Sequence, residues 1–287
     1  MFFDWVYELT RVKSMLKVAI VGKGGSGKST MSWLLMQSLA SQNQSVLGID
    51  ADFNMNLLTN LGLNYSSELP TIHHAHDRFR QLVDLPVGTP WSKLQGRSIP
   101  EFSLSPDDDY TKSLAIEVSD RIRLMVVGLG DEDVLDSPLC GHGHIAPLKW
   151  YLMNLKTNDT AVVIDSVAGT DMVNYNLYQG CDAIVCVVED HRNSIRVLNQ
   201  IQQVADRLQT PFYAIWNRAK STQIPESLLE FSDRLLGQVP LDDAIEDFDY
   251  DALNEQTKIQ VKLIWQNLLE KARKSRNGNL IRSGFNE

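Results

Sequence analysis

The stretch Gly22-Lys23-Gly24-Gly25-Ser26-Gly27-Lys28-Ser29-Thr30, entered from the apolar run Lys17-Val18-Ala19-Ile20-Val21, has the spacing Gly-x4-Gly-Lys-Ser. Glycines at these places let successive backbone N–H groups turn toward one anion. The lysine brings a point charge to the β- and γ-phosphates, and the serine hydroxyl is placed to ligate Mg2+. A helix expected from Ser29 to about Ser41 adds the positive end of its dipole. All nine residues are therefore nucleotide-binding candidates, with Lys28 also catalytic and Ser29 also a Mg2+ ligand. Lys23 gives the loop a second lysine directly after its first glycine.

Working outward, β-rich apolar runs recur at Val18–Val21, Val46–Ile49, Ile122–Val127, Ala161–Ile164, Ala183–Val188 and Phe212–Trp216, most of them separated by helix-like stretches. Continuous apolar strands alternating with amphipathic helices predict an α/β fold with a mostly parallel central sheet covered by helices on both faces. Ligands of such sheets gather beyond the C-terminal strand ends, where the glycine loop, Asp50-Ala51-Asp52 and Asp165 all fall. A carboxylate opposite the γ-phosphate can orient the attacking water and hold the Mg2+ shell, which makes Asp52 a catalytic and Mg2+ candidate. Asp165 ends the strand Thr160–Ile164 and precedes Ser166-Val167-Ala168-Gly169-Thr170-Asp171. That is the form of a Mg2+-shell acid followed by a switch loop, in which the Gly169 N–H senses the γ-phosphate. The blander alternative for the Asp50/Asp52 pair is a solvated strand end.

At 287 residues the chain can bury one large α/β core, and a single domain over 15–287 is expected, with an insertion at about 65–120. The insertion holds five prolines and Asp107-Asp108-Asp109 with little periodicity, and reads as an elaboration between two strands that can carry specificity or partner contacts. Residues 1–14 read as an N-terminal extension, either an appended helix or an over-long reading frame ahead of Met15. No apolar run approaches the ~20 residues that span a bilayer, and Cys140, Cys181 and Cys186 are too few for a disulfide framework. A cytoplasmic protein is expected. The formal charge of -9 argues against nucleic acid as the principal partner.

The doubled-lysine loop resembles that of the MinD/ParA/nitrogenase-iron-protein class of P-loop ATPases. The resemblance implies that Lys23 reaches across a dimer interface to the partner's nucleotide, coupling slow ATP hydrolysis to homodimerisation. It also aligns Asp52 with the water-positioning acid and Asn217-Arg218 with the base-recognition position. Where many members have proline, this chain has Phe53.

The ordered phrases GKGGSGKST, DADFNMNL, RLMVVG, APLKWYLMNL, VVIDSVAGTD, VVEDHRNS and GQVPLDDAI are similar to the carbon monoxide dehydrogenase accessory ATPase family, over about Met15 to Ile245. Members of that family aid nickel insertion and bind metal through a Cys-x-Cys pair at the dimer interface. The pair falls on Cys140 and His142, so histidine replaces the second cysteine. Thiolate and imidazole remain competent for Zn2+ or Ni2+, and Cys140, His142 and His144 form the implied ligand set beside ATP and Mg2+. The alternative there is a polar, Gly-rich loop with incidental histidines. His73, His74 and His76 form a further cluster, in the insertion.

Near the C-terminus, Val261, Ile264, Trp265, Leu268 and Leu269 share a helical face. An amphipathic stripe is the ordinary mark of a docked helix, so packing is expected over the membrane helix of MinD-type proteins. The leading expectation is an ATP-hydrolysing dimeric switch that assists metal delivery to a client metalloenzyme. The alternatives are a MinD/ParA-like positioning or regulatory ATPase without a metal cargo, and a small-molecule kinase.

Overall fold

The computed structural model describes residues 15–128, 141–169 and 176–283, with the backbone alone given for 141–143 and 276–283. The elements run β1 (Lys17–Gly22), α1 (Lys28–Ser41), β2 (Ser45–Asp50), α2 (Asn56–Asn60), α3 (His76–Leu82), β3 (Phe102–Ser103), α4 (Asp109–Leu114), β4 (Ile116–Glu117) and β5 (Ile122–Val126). There follow α5 (Gly141–Asn154), β6 (Leu155–Lys156), β7 (Thr160–Asp165), β8 (Ala183–Val188), α6 (Arg192–Arg207), β9 (Phe212–Ala219), β10 (Leu235–Pro240) and α7 (Glu255–Ser283).

Eight strands form one sheet in the order β10-β9-β8-β1-β7-β2-β5-β4. All neighbours are parallel except β4, which pairs antiparallel at the edge. The six expected apolar runs are all strands of this sheet, and each buries both faces. Along β1, Val18 and Ile20 enter the core that holds α1 and α7, whereas Ala19 and Val21 enter the core that holds α5, α6 and the insertion. Side chains alternate across a strand, so a strand buried on both faces must be apolar throughout.

From β1 the chain crosses by α1 to β2, two places along on one side, and the later strands β8, β9 and β10 lie on the other. The strand order thus reverses beside β1, and the glycine loop issues from that point, where the crevice of an open α/β sheet lies.

The connection from β2 to β5 has more order than its sequence suggests. Phe79 stacks on Phe102 with ring centroids 5.7 Å apart, and Phe102 meets Tyr151 of α5 at 4.9 Å. Asp108, the middle of the acidic triplet, is an N-cap: its Oδ1 accepts the N–H groups of Tyr110 and Thr111, both at 2.9 Å. The extended residues before α3 join the end of β5, where Ile72 N–H donates to Val126 O at 2.9 Å and His73 N–H to Val127 O at 3.0 Å.

Helix α7 is docked. Val261, Ile264, Trp265 and Leu268 are buried, and Asn267 Nδ2 donates to the Leu236 carbonyl at 2.7 Å. A Cβ on Gly237 would lie 2.8 Å from Ile264 Cγ1, so the close approach of α7 to β10 requires a glycine there. No described helix is long and apolar enough to cross a membrane.

Candidate nucleotide site

Strands β1, β7 and β2 end side by side, with Ile20 opposite Asp165 and Asp165 opposite Asp50. The glycine loop arches over these ends. It turns through a Ser26 N–H to Lys23 O bond at 3.0 Å and enters α1 through Gly27, at φ 90°. Lys28 is 8% exposed, and its positive charge is felt at the Asp165 carboxyl. Lys23 instead lies on the exposed side of the loop, its Nζ donating to Gly24 O at 3.0 Å. The two lysines therefore occupy opposite environments.

Asp50 and Asp165 are fully buried. Burial pushes the Asp165 carboxyl up to about 6, against the lowering pull of a Ser29 hydrogen bond and the Lys28 charge. Asp50 is held well above the ordinary carboxylate range, first by burial and then by Asp165. Its oxygens accept the N–H groups of Leu58 at 3.0 Å and Asp52 at 3.3 Å, which fixes the start of the Asp52 loop. Asp52 in turn accepts from Asn54 N and Nδ2, at 3.0 and 2.9 Å.

Ser32 Oγ donates to Asp165 Oδ1 at 3.4 Å, while Asp165 Oδ2 is buried with no hydrogen-bond partner. A buried carboxylate oxygen without a donor, beside a serine hydroxyl and two further acids, fits a hydrated Mg2+ ion. Ser29, Asp52 and Asp165 are the residues that would hold it.

Asn217 ends the buried part of β9, and its Nδ2 donates to Ser26 O at 2.9 Å. Arg218 Nη1 reaches Glu189 Oε1 at 2.7 Å and Gly25 O at 3.4 Å. Beside Gly27 and Thr30 a cleft runs between Asn217 and a wall of Pro240, Leu241, Ile245 and Phe248. Gly169, at φ 73°, donates its N–H to Gly22 O at 2.9 Å, which occupies the amide expected to sense phosphate.

Most candidates for the nucleotide thus converge on one edge of the sheet. The Zn2+/Ni2+ set does not come into view as a whole: Cys140 lies outside the described residues, and only the backbone of His142 is described, in α5. Among the described residues no group of three or more His, Cys, Asp or Glu is arranged to hold a metal. His144 is buried and turns to His73.

Two contributors escaped the sequence. In the sequence Asp50 reads as half of a strand-end pair with Asp52, without a role of its own, although an acid ending an otherwise apolar strand signals burial. The Pro240–Phe248 wall carries no motif chemistry, so only the fold reveals it.

Gly27 permits a specific prediction. A Cβ there would lie 2.4 Å from Asn217 Nδ2 at a φ that L-residues avoid. Gly27→Ala should destabilise the protein by about 1–3 kcal/mol and remove the ATP-induced rise in Tm. Gly24→Ala, whose Cβ would meet only Ala168 Cβ at 3.8 Å, should retain both. Urea titration and thermal melts with Mg·ATP measure the difference.

A parallel sheet with this loop at its strand-order reversal defines a P-loop nucleotide-binding protein. The chain belongs to the CobQ/CobB/MinD/ParA nucleotide-binding-domain family, which it matches over residues 17–253. An uncharacterized ATP-binding protein of Methanocaldococcus jannaschii is 27% identical over 229 residues, covering 78% of this chain and 88% of that protein. The carbon monoxide dehydrogenase accessory protein CooC of Rhodospirillum rubrum is 26% identical over 246 residues, covering 83% and 89%. A solved plasmid partition protein of Borrelia burgdorferi superposes with a TM-score of 0.57 at 19% identity, covering 90% of this chain and 99% of that one, and shows the same fold.

Proposed function

We propose that the protein is a Mg·ATP-driven switch that closes into a homodimer on ATP, hydrolyses it slowly, and uses the cycle to deliver a nickel-like metal to a client metalloenzyme. The observation that carries the dimer is the opposite placement of the two lysines. Lys28 is buried with its charge acting on Asp165 of its own site, whereas Lys23 stands on the exposed face of the loop. A charge offered outward is placed to meet the nucleotide that another subunit brings to it.

In this reading the loop N–H groups and Lys28 hold the phosphates, and Asn217 and the adjoining cleft take the base. Bound Mg2+ would neutralise charge on the β- and γ-phosphates. Asp52 orients the attacking water, while Ser29 and Asp165 meet the metal shell. Gly169 exchanges its Gly22 carbonyl for the γ-phosphate and returns to it after hydrolysis. The metal cargo is supported by similarity to the accessory protein CooC over most of both chains. Cys140, His142 and His144 are its proposed ligands, and the client is a partner protein in the cytoplasm. The insertion at about 65–120 and the extension at 1–14 belong to the same proposed division of the chain.

Light scattering of an Asp52→Ala protein, chosen to slow hydrolysis, tests this directly. A dimer should form with Mg·ATP and not with Mg·ADP, with metal on the eluted peak. A dimer without metal would instead favour a positioning or regulatory ATPase; a monomer in both nucleotides would defeat the switch. Lys23→Ala should still bind ATP but lose phosphate release by roughly tenfold or more. Parental turnover in that variant would exclude a lysine acting in trans, and a phosphorylated small molecule in place of free phosphate would mean a kinase.

A further inference from the structure

Two histidines that lie 71 residues apart in the chain meet at one place in the fold. The pairing of residues 71–73 onto the end of β5 carries His73 to the edge of the sheet where the nucleotide candidates gather. Helix α5 brings His144 to the same place, 2% exposed. Their Nδ1 atoms are 2.9 Å apart.

Two imidazole nitrogens aimed at each other hold one proton between them, one donating and the other accepting. Two protonated rings would set N–H against N–H. A divalent transition-metal ion can take the place of that proton with little movement. Metal–nitrogen bonds of about 2.0–2.1 Å, at angles between square and tetrahedral, put two ligand nitrogens roughly 2.9–3.4 Å apart.

The pair also touches the loop that carries Asp52. The His144 ring meets Phe53 edge-on with centroids 6.4 Å apart, and Phe53 directly follows Asp52. The His74 ring lies 5.5 Å from that of His73, on the exposed side of the pair.

We propose that His73 and His144 are two ligands of a divalent transition-metal site within one chain, joining the insertion to α5. The site deepens the metal-handling reading and rests on it for its biological sense. It differs in place, because its second ligand comes from the insertion and it requires neither Cys140 nor a second subunit.

The test is calorimetric titration of Zn2+ and of Ni2+ into the full-length, chelator-treated protein without nucleotide, with His73→Gln and Cys140→Ala variants. His73 is the principal target because it is only half-buried, and unchanged ATP binding by His73→Gln verifies its fold. The expected result is one metal per chain, weakened at least roughly tenfold in His73→Gln, since even outer-shell changes cost that much, and held within twofold in Cys140→Ala. Metal binding that ignores His73→Gln and disappears in Cys140→Ala would overturn the histidine pair while leaving the metal-handling reading intact. A parent that binds neither ion would overturn the pair and leave it a simple hydrogen bond. If a dimer formed on ATP were also free of metal, the cargo reading would fall with it.

Discussion

Lys28→Ala should lower ATP turnover by roughly 10²–10³-fold, the scale on which loss of one preorganised group facing developing charge is felt. Lys28 is 8% exposed, at the first turn of α1, with its charge set against Asp165. Its removal has two consequences: the β/γ-phosphates lose their point charge, and the buried Asp50/Asp165 pair loses its nearby cation. Nucleotide affinity should fall together with turnover, so Mg·ATP should no longer raise Tm. The comparison with Lys23→Ala is decisive, because that variant is expected to keep the ATP-induced rise and lose only turnover. If Lys28→Ala hydrolyses ATP within threefold of the parent, the glycine loop is not the catalytic cradle.

Asp165→Asn should reduce Mg2+-dependent turnover by roughly a hundredfold and, in the absence of nucleotide and metal, make the protein more stable. The first effect follows from the loss of the carboxylate whose Oδ2 is buried without a partner. The second follows from its acidity. The folded value of about 6 lies above the 3.8 of an ordinary aspartate, so the folded chain binds more protons than the unfolded chain between the two. Its stability therefore falls as pH rises through about 4 to 6 and stays lower above. A shift of about two pK units corresponds to at most about 3 kcal/mol. An amide does not ionise, so the variant should lack this fall. Urea midpoints at pH 4.5 and 8, without Mg2+, measure it. Parallel pH profiles of parent and variant would show that Asp165 carries no such burden.

The central strands were legible because burial on both faces demands unbroken apolar runs, as in Ala183–Val188. Strand β10 was not, since Gly237 and Gln238 interrupt its apolar residues and its pairing with β9 is irregular. The glycine loop and the acids at the ends of β2 and β7 were legible because their chemistry is local in sequence. The meeting of His73 with His144 was hidden, because it depends on the extended segment before α3 joining β5. The order of the insertion was hidden for a related reason: its aromatic residues find one another across non-local contacts that leave no period to read. The opposed environments of Lys23 and Lys28 follow from the turn of the loop, which spacing alone does not give.

The bond from Gly169 to Gly22 joins main chain to main chain, and this bears on how such a protein tolerates mutation. No side chain makes the bond, so replacing side chains one at a time leaves both of its atoms in place. Substitution at Gly169 would register a backbone constraint, since its φ is 73°. Away from its two glycines, a contact of this kind escapes side-chain replacement; the rate at which its amide exchanges with solvent is the quantity that reports on it.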